Sequence, residues 1–120
     1  MPLPKKAVRF EETIDPSDTL PFDLDLAAML PNGEAIANVT IGPASESAAL
    51  GFRVLNDADY APSQPTLTSI RFYPGIEEGS RSASIWSNDG QDCAVEVSIE
   101  TDATPPNKVQ RSAIVRVEQL

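Results

Sequence analysis

Cys93 is the one thiol in the chain, and there is no histidine anywhere. A serine or cysteine nucleophile therefore has no imidazole beside it to take its proton, so triad-type chemistry is excluded. The commonest general base and metal ligand near neutral pH is missing too. Cys93 opens an alternating run on its apolar side, which reads as a buried small hydrophobe rather than a reactive thiol. Carboxylates remain. Asp23 and Asp25 lie two apart on one strand face. A glycosidase sets two carboxylates across a cleft beside a sugar platform. With one Trp and two Tyr the chain has little platform, and a solvated strand face explains the pair. Asp57, Asp59, Asp89 and Asp92 are loop oxygens of the kind calcium takes, but none has the spacing of a calcium loop. Asn38-Val39-Thr40 has the form of a glycosylation acceptor yet lies inside an expected strand. Phosphate-binding glycine loops and Cys/His metal spacings are absent from the sequence. No enzyme, cofactor or metal is expected. The residue types point to a module that works through surfaces and sheet edges.

The net charge of −9 argues against nucleic acid or an anionic membrane as partner, and for docking on a basic surface. No apolar run approaches the length of a membrane span, and the start, MPLPKKAVRF, lacks the apolar core of a signal peptide. Use without secretion is expected. One cysteine cannot form an internal disulfide. Lys5, Lys6 and Arg9 make a short basic arm on an acidic chain, a candidate for docking on an acidic neighbour.

The elements that must carry these residues are strands. The 11 prolines fall mostly between apolar runs, as turns do in an all-β protein. Residues 1–12, with Val8 and Phe10 in alternation, read as the arm and an edge strand. Residues 13–120 read as one domain. IDPSD at 14–18 is a turn, and 19–26 alternates as a strand. Ala27–Leu30 makes one helical turn whose Met29 and Leu30 plug the end of a sandwich, before Pro31-Asn32-Gly33 reverses the chain. Residues 34–42 form a strand with a slip between Ile36 and Val39, hence a bulge.

GPASESAA at 42–49 reads as a loop, and Leu50, Phe52 and Val54 as a short strand. NDADYAPSQP at 56–65 reads as a surface loop, with Asp57, Asp59 and Tyr60 as docking candidates. TLTSIRFY at 66–73 reads as a strand, PGIEEGS at 74–80 as a loop and Ser82–Trp86 as a strand. Asp89-Gly90 centres a tight hairpin turn. Residues 93–101 alternate most cleanly, with Cys93, Val95, Val97, Ile99 and Thr101 inward and Ala94, Glu96, Ser98 and Glu100 outward. DATPPNK at 102–108 is a loop and 109–118 the last strand. Seven or eight short strands without a helix of useful length predict an immunoglobulin-like antiparallel β-sandwich.

Two stretches carry a resemblance. The first holds Asp18, Leu20, Phe22 and Asp25, then Leu30, Gly33, Glu34 and Ile36. The second runs from Ile85, Trp86, Ser87 and Gly90 through Val95, Val97, Ile99 and Thr101 to Arg111, Ser112, Ile114 and Val117. Together they resemble small immunoglobulin-like virion proteins of tailed bacteriophages, of the fibre–tail adaptor or capsid decoration kind. Leu26 and Met29 stand where that pattern has aromatics, and residues 43–80 have no counterpart in it. The resemblance implies a non-enzymatic structural protein of the particle, made in the bacterial cytoplasm. It implies docking on capsid or tail/neck proteins as an adaptor or a decoration (cement) protein, in many copies or as a homo-oligomer. The competing expectation is a carbohydrate- or calcium-dependent module for a host surface, motivated by the acidic loops and Tyr60.

Overall fold

In the computed structural model, which describes residues 8–87 and 89–120, the alternating runs form strands around one core. Among the described residues the nine strands are β1 (Val8–Ile14), β2 (Phe22–Asp25), β3 (Ile36–Pro43), β4 (Phe52–Val54), β5 (Ser63–Thr66), β6 (Ser69–Phe72), β7 (Pro74–Ile76), β8 (Gln91–Thr101) and β9 (Lys108–Val117). The largest sheet has the order β1-β9-β8-β3. A three-stranded sheet β2-β6-β5 and the pair β4-β7 supply the opposing layer. The protein is an all-β sandwich, and every strand pair runs antiparallel except β1 with β9.

β8 is the spine. Cys93, Val95, Val97 and Ile99 are buried in one apolar cluster with Phe52, Phe72, Leu24 and Trp86, and Thr101 is buried as a polar residue at the end of the same face. Glu96 and Ser98 are exposed on the other face. Ala94 departs from the expected wet face and is buried, because the chain leaving β3 turns over this end of the strand. The Ala94 carbonyl accepts from Ala44 N–H (2.9 Å), and its N–H donates to Ser47 Oγ (2.8 Å). Ser47 belongs to a short helix, α1 (Ser45–Ala49), in the stretch read as a loop. Five residues are too few for an independent helix. This one is fixed by its seat beside β8.

Three further expectations are corrected. PGI at 74–76 is a fully buried strand rather than a loop, paired with β4. Ser84–Trp86 is a single 3-10 turn, not a strand, so Gly90 (φ +70°) does not close a hairpin and instead leads a turn into β8. The expected strand 66–73 is split by a turn at Leu67-Thr68, closed by the Thr66 and Ser69 hydroxyls 2.7 Å apart. The single turn Ala27–Met29, the buried Leu30 and the irregularity between Ile36 and Asn38 lie where the sequence placed them. The 14–18 turn is tied by its own aspartates, with Ser17 N–H on Asp15 and Asp15 N–H on Asp18.

One arrangement positions the loop of interest. β4 pairs with β7, β5 pairs with β6, and Leu55 N–H donates to the Tyr73 carbonyl between those pairs (2.9 Å). β4 and β5 therefore run down one partner segment, 69–76, and residues 56–62 loop out of the ladder.

Candidate docking surface

The sequence offered two groups of docking candidates, and their described members lie at different edges of the molecule. Lys5 and Lys6 fall outside the described residues. Arg9 sits in β1, at one edge of the large sheet. Asp57, Asp59 and Tyr60 sit in the looped-out segment, whose Asn56 and Pro62 border β3 at the opposite edge. Arg9 and the acidic loop are thus not two halves of one site.

Arg9 is not a free cation. Its guanidinium donates to Asp92 (2.9 Å), and Arg116 reaches the other oxygen of that carboxylate (3.2 Å). This bridge fastens β1 to β8 across β9. It occupies Asp92, one of the four loop aspartates weighed for calcium. β1 also carries a register shift between Arg9 and Thr13, which accompanies Phe10 turning toward the mouth of the core. There Phe10 meets Phe22 edge-on at 4.9 Å and Phe72 at 5.8 Å, geometry favoured by aromatic quadrupoles.

The acidic loop is internally ordered. Asp57 Oδ1 accepts from the N–H groups of Asp59 (2.9 Å) and Tyr60 (3.0 Å), an Asx turn that fixes the loop tip. Tyr60 leans on Tyr73 with centroids 5.1 Å apart and keeps 37% of its surface in solvent. The contact braces an amphipathic ring at the surface without burying it.

The remaining reactive groups have structural partners. Asp23 makes a two-pronged pair with Arg71 (2.8 and 3.1 Å), and the hydrogen bonds from that guanidinium hold its carboxyl below the usual range. Asp25 caps the turn at Ala27 N–H (3.0 Å). The N–H groups of Leu120 and Ser17 likewise lower Asp15. Cys93 has no exposed surface, and burial, with Asp92 nearby, pushes its thiol up to about 12. Glu34 accepts from Thr101 Oγ1 (2.5 Å) and Asn107 Nδ2 (2.9 Å), joining the 31–35 turn to the 102–107 loop. Among the described residues no three His, Cys, Asp or Glu side chains converge as a metal site would require.

Sequence reasoning missed the β3 edge. Val39, Ile41 and Pro43 flank an open cleft of about 410 Å³ with Val54 and Pro62 on its far side. The signal was present: 36–43, IANVTIGP, holds no charged residue. Comparison with protein-family models, with curated proteins and with solved structures finds no match.

Proposed function

We propose that this chain is a non-enzymatic structural protein of a tailed bacteriophage particle, docking on other virion proteins as a tail/neck adaptor or a capsid decoration protein. The observation that carries the docking reading is the 56–62 loop. It projects from a continuous ladder, is tied at its tip by Asp57, and presents Tyr60 braced on Tyr73. Braced aromatic rings lose little freedom on binding and are enriched at the centres of protein interfaces. The virion half of the reading rests on the sequence resemblance. The reactive groups support a non-catalytic role: Asp23, Asp92 and Glu34 spend their charge on intramolecular bonds, and Cys93 is a buried neutral thiol.

Quantitative mass spectrometry of purified particles tests this reading. A ratio near that of the major capsid protein identifies decoration. A ratio fit for one ring identifies an adaptor. Absence from the particle refutes the proposal. Tyr60→Ala tests the loop: the variant should fold with near-wild-type stability and incorporate poorly. Normal incorporation would move the docking surface elsewhere.

A further inference from the structure

The free edge of β3 carries an inference that does not depend on the virion reading. In an antiparallel ladder, alternate residues bond the neighbouring strand and the others turn their N–H and C=O groups away. Ala44 N–H bonds the Ala94 carbonyl, and the register continues through Gly42 with Glu96, Thr40 with Ser98 and Asn38 with Glu100. Val39, Ile41 and Pro43 therefore direct their backbone groups away from β8. No described strand pairs with that side.

The open run has two stops. Pro43 has no N–H to give. At the other end the register shifts between Ile36 and Asn38, and Ile36 is already engaged by the Leu67 carbonyl (2.9 Å) and the Gln64 amide (3.4 Å). What lies between is 38–42, centred on Thr40.

Other edges are defended in the ways proteins usually defend them. β1 carries Arg9, Glu11 and Glu12 and a register shift. β5 carries Pro65, and Pro21 precedes β2. β3 has no charge, and Val39, Thr40 and Ile41 at its middle are all β-branched.

We propose that β3 pairs with β3 of a second copy of this chain, antiparallel, across a twofold axis through Thr40. A second copy fits because the open run, stopped by Pro43 at one end and by the register shift after Ile36 at the other, is centred on Thr40 and complements itself. Val39 then faces the partner's Ile41, and Ile41 the partner's Val39. Each pairing exchanges two N–H···O bonds, so every outward group of both residues is used. Thr40 meets the partner's Thr40 on the polar face, and cross-strand Thr–Thr and branched aliphatic pairs are favourable neighbours. On the inner face, the half-buried Val39 and Ile41 extend the core cluster into the cleft beside Val54 and Pro62. The result is an isologous dimer whose four-stranded sheets join into one of eight strands.

Charge sets the test. Two copies at −9 each repel, and salt screens that repulsion, shortening the Debye length from roughly 30 Å at ~0.01 M to roughly 3 Å at ~1 M. Sedimentation of the full chain across a concentration series should show a dimer that strengthens with NaCl. The backbone amides of Val39 and Ile41 should gain exchange protection as the dimer forms. Thr40→Lys sets like charges face to face on the axis and should weaken dimerisation by ~10-fold or more. Thr40 is exposed, so circular dichroism of that variant should match wild type; Thr40→Val should still dimerise. A monomer at every concentration and salt overturns the proposal. So does a dimer indifferent to Thr40→Lys with unprotected Val39 and Ile41 amides, which places the contact elsewhere.

Discussion

Replacing Trp86 by alanine is the sharpest probe of how the 3-10 turn at 84–86 contributes to the fold. The side chain has no exposed surface, and its Nε1–H donates to the Ser80 carbonyl at 2.8 Å. The Trp86 carbonyl accepts from Gln119 N–H at 2.7 Å, so the same turn anchors the 118–120 segment. Emptying a buried Trp site costs about 3–5 kcal/mol. The abandoned Ser80 carbonyl adds about 1–3 kcal/mol unless water reaches it. Against a whole-domain stability of about 5–15 kcal/mol, the loss is a large share. With a urea slope near 2 kcal/mol/M, a 4 kcal/mol loss moves the midpoint down by about 2 M. Trp86→Phe separates the contributions: it keeps most of the packing and loses the hydrogen bond, for about 1–3 kcal/mol. Far-UV circular dichroism is the assay, because both variants remove the only tryptophan. A midpoint for Trp86→Ala within about 0.3 M of wild type would refute the reasoning, since it would mean the ring packs against nothing that matters.

Cys93 should resist alkylation in the native protein and react once urea unfolds it, read as mass gained per chain; fast native labelling would contradict its burial. Its raised pKa also gives a sign. The unfolded thiol ionises from about pH 9 while the folded one holds its proton to about 12, so this contribution is lost as pH rises across that window, and Cys93→Ala should flatten the alkaline loss. Asp23 and Asp15 run the other way. Their folded pKa values are depressed, so their stabilisation is present above the ordinary carboxylate range and lost as pH falls through the folded values. Asp23→Asn should therefore be less stable than wild type at neutral pH and converge with it in acid, as judged by urea midpoints across pH. Gly33→Ala and Gly51→Ala both place a side chain at positive φ, but only at Gly51 would the new Cβ lie 2.6 Å from the Ser80 side chain. Thermal unfolding should show a cost of about 1–2 kcal/mol at Gly33 and a larger one at Gly51.

Strands that own a full period of alternation were legible in the sequence. β8 has five inward residues in phase, and a slip by one would turn all of them to water. β3 showed its irregularity because Ile36 and Val39 cannot share a face without one. Short elements whose conformation is set by distant partners were not legible. Pro74-Gly75 carries the composition of a turn, yet it lies in a strand because β4 offers it a partner. SESAA forms a helix where Ser47 must cap the Ala94 N–H. Ile85 and Trp86 are adjacent rather than alternate, which fits the 3-10 turn that stands where Ser82–Trp86 read as a strand. Of the docking candidates, Tyr60 was findable as an aromatic among loop formers. The role of Arg9 was not, because Asp92 is 83 residues away along the chain.

The looped-out segment has a consequence for engineering. β4 is registered on 74–76 and β5 on 69–71, so both ends of the 56–62 loop are pinned to one segment, 69–76, whatever lies between them. Doubling a loop's length adds only about 0.6 kcal/mol of closure entropy. A peptide of similar length inserted near Tyr60 should therefore be carried on the sandwich without disturbing the strands. The segment is a place to mount an epitope or a fluorophore, and a place where sequence can drift in length while the frame beneath it stays fixed.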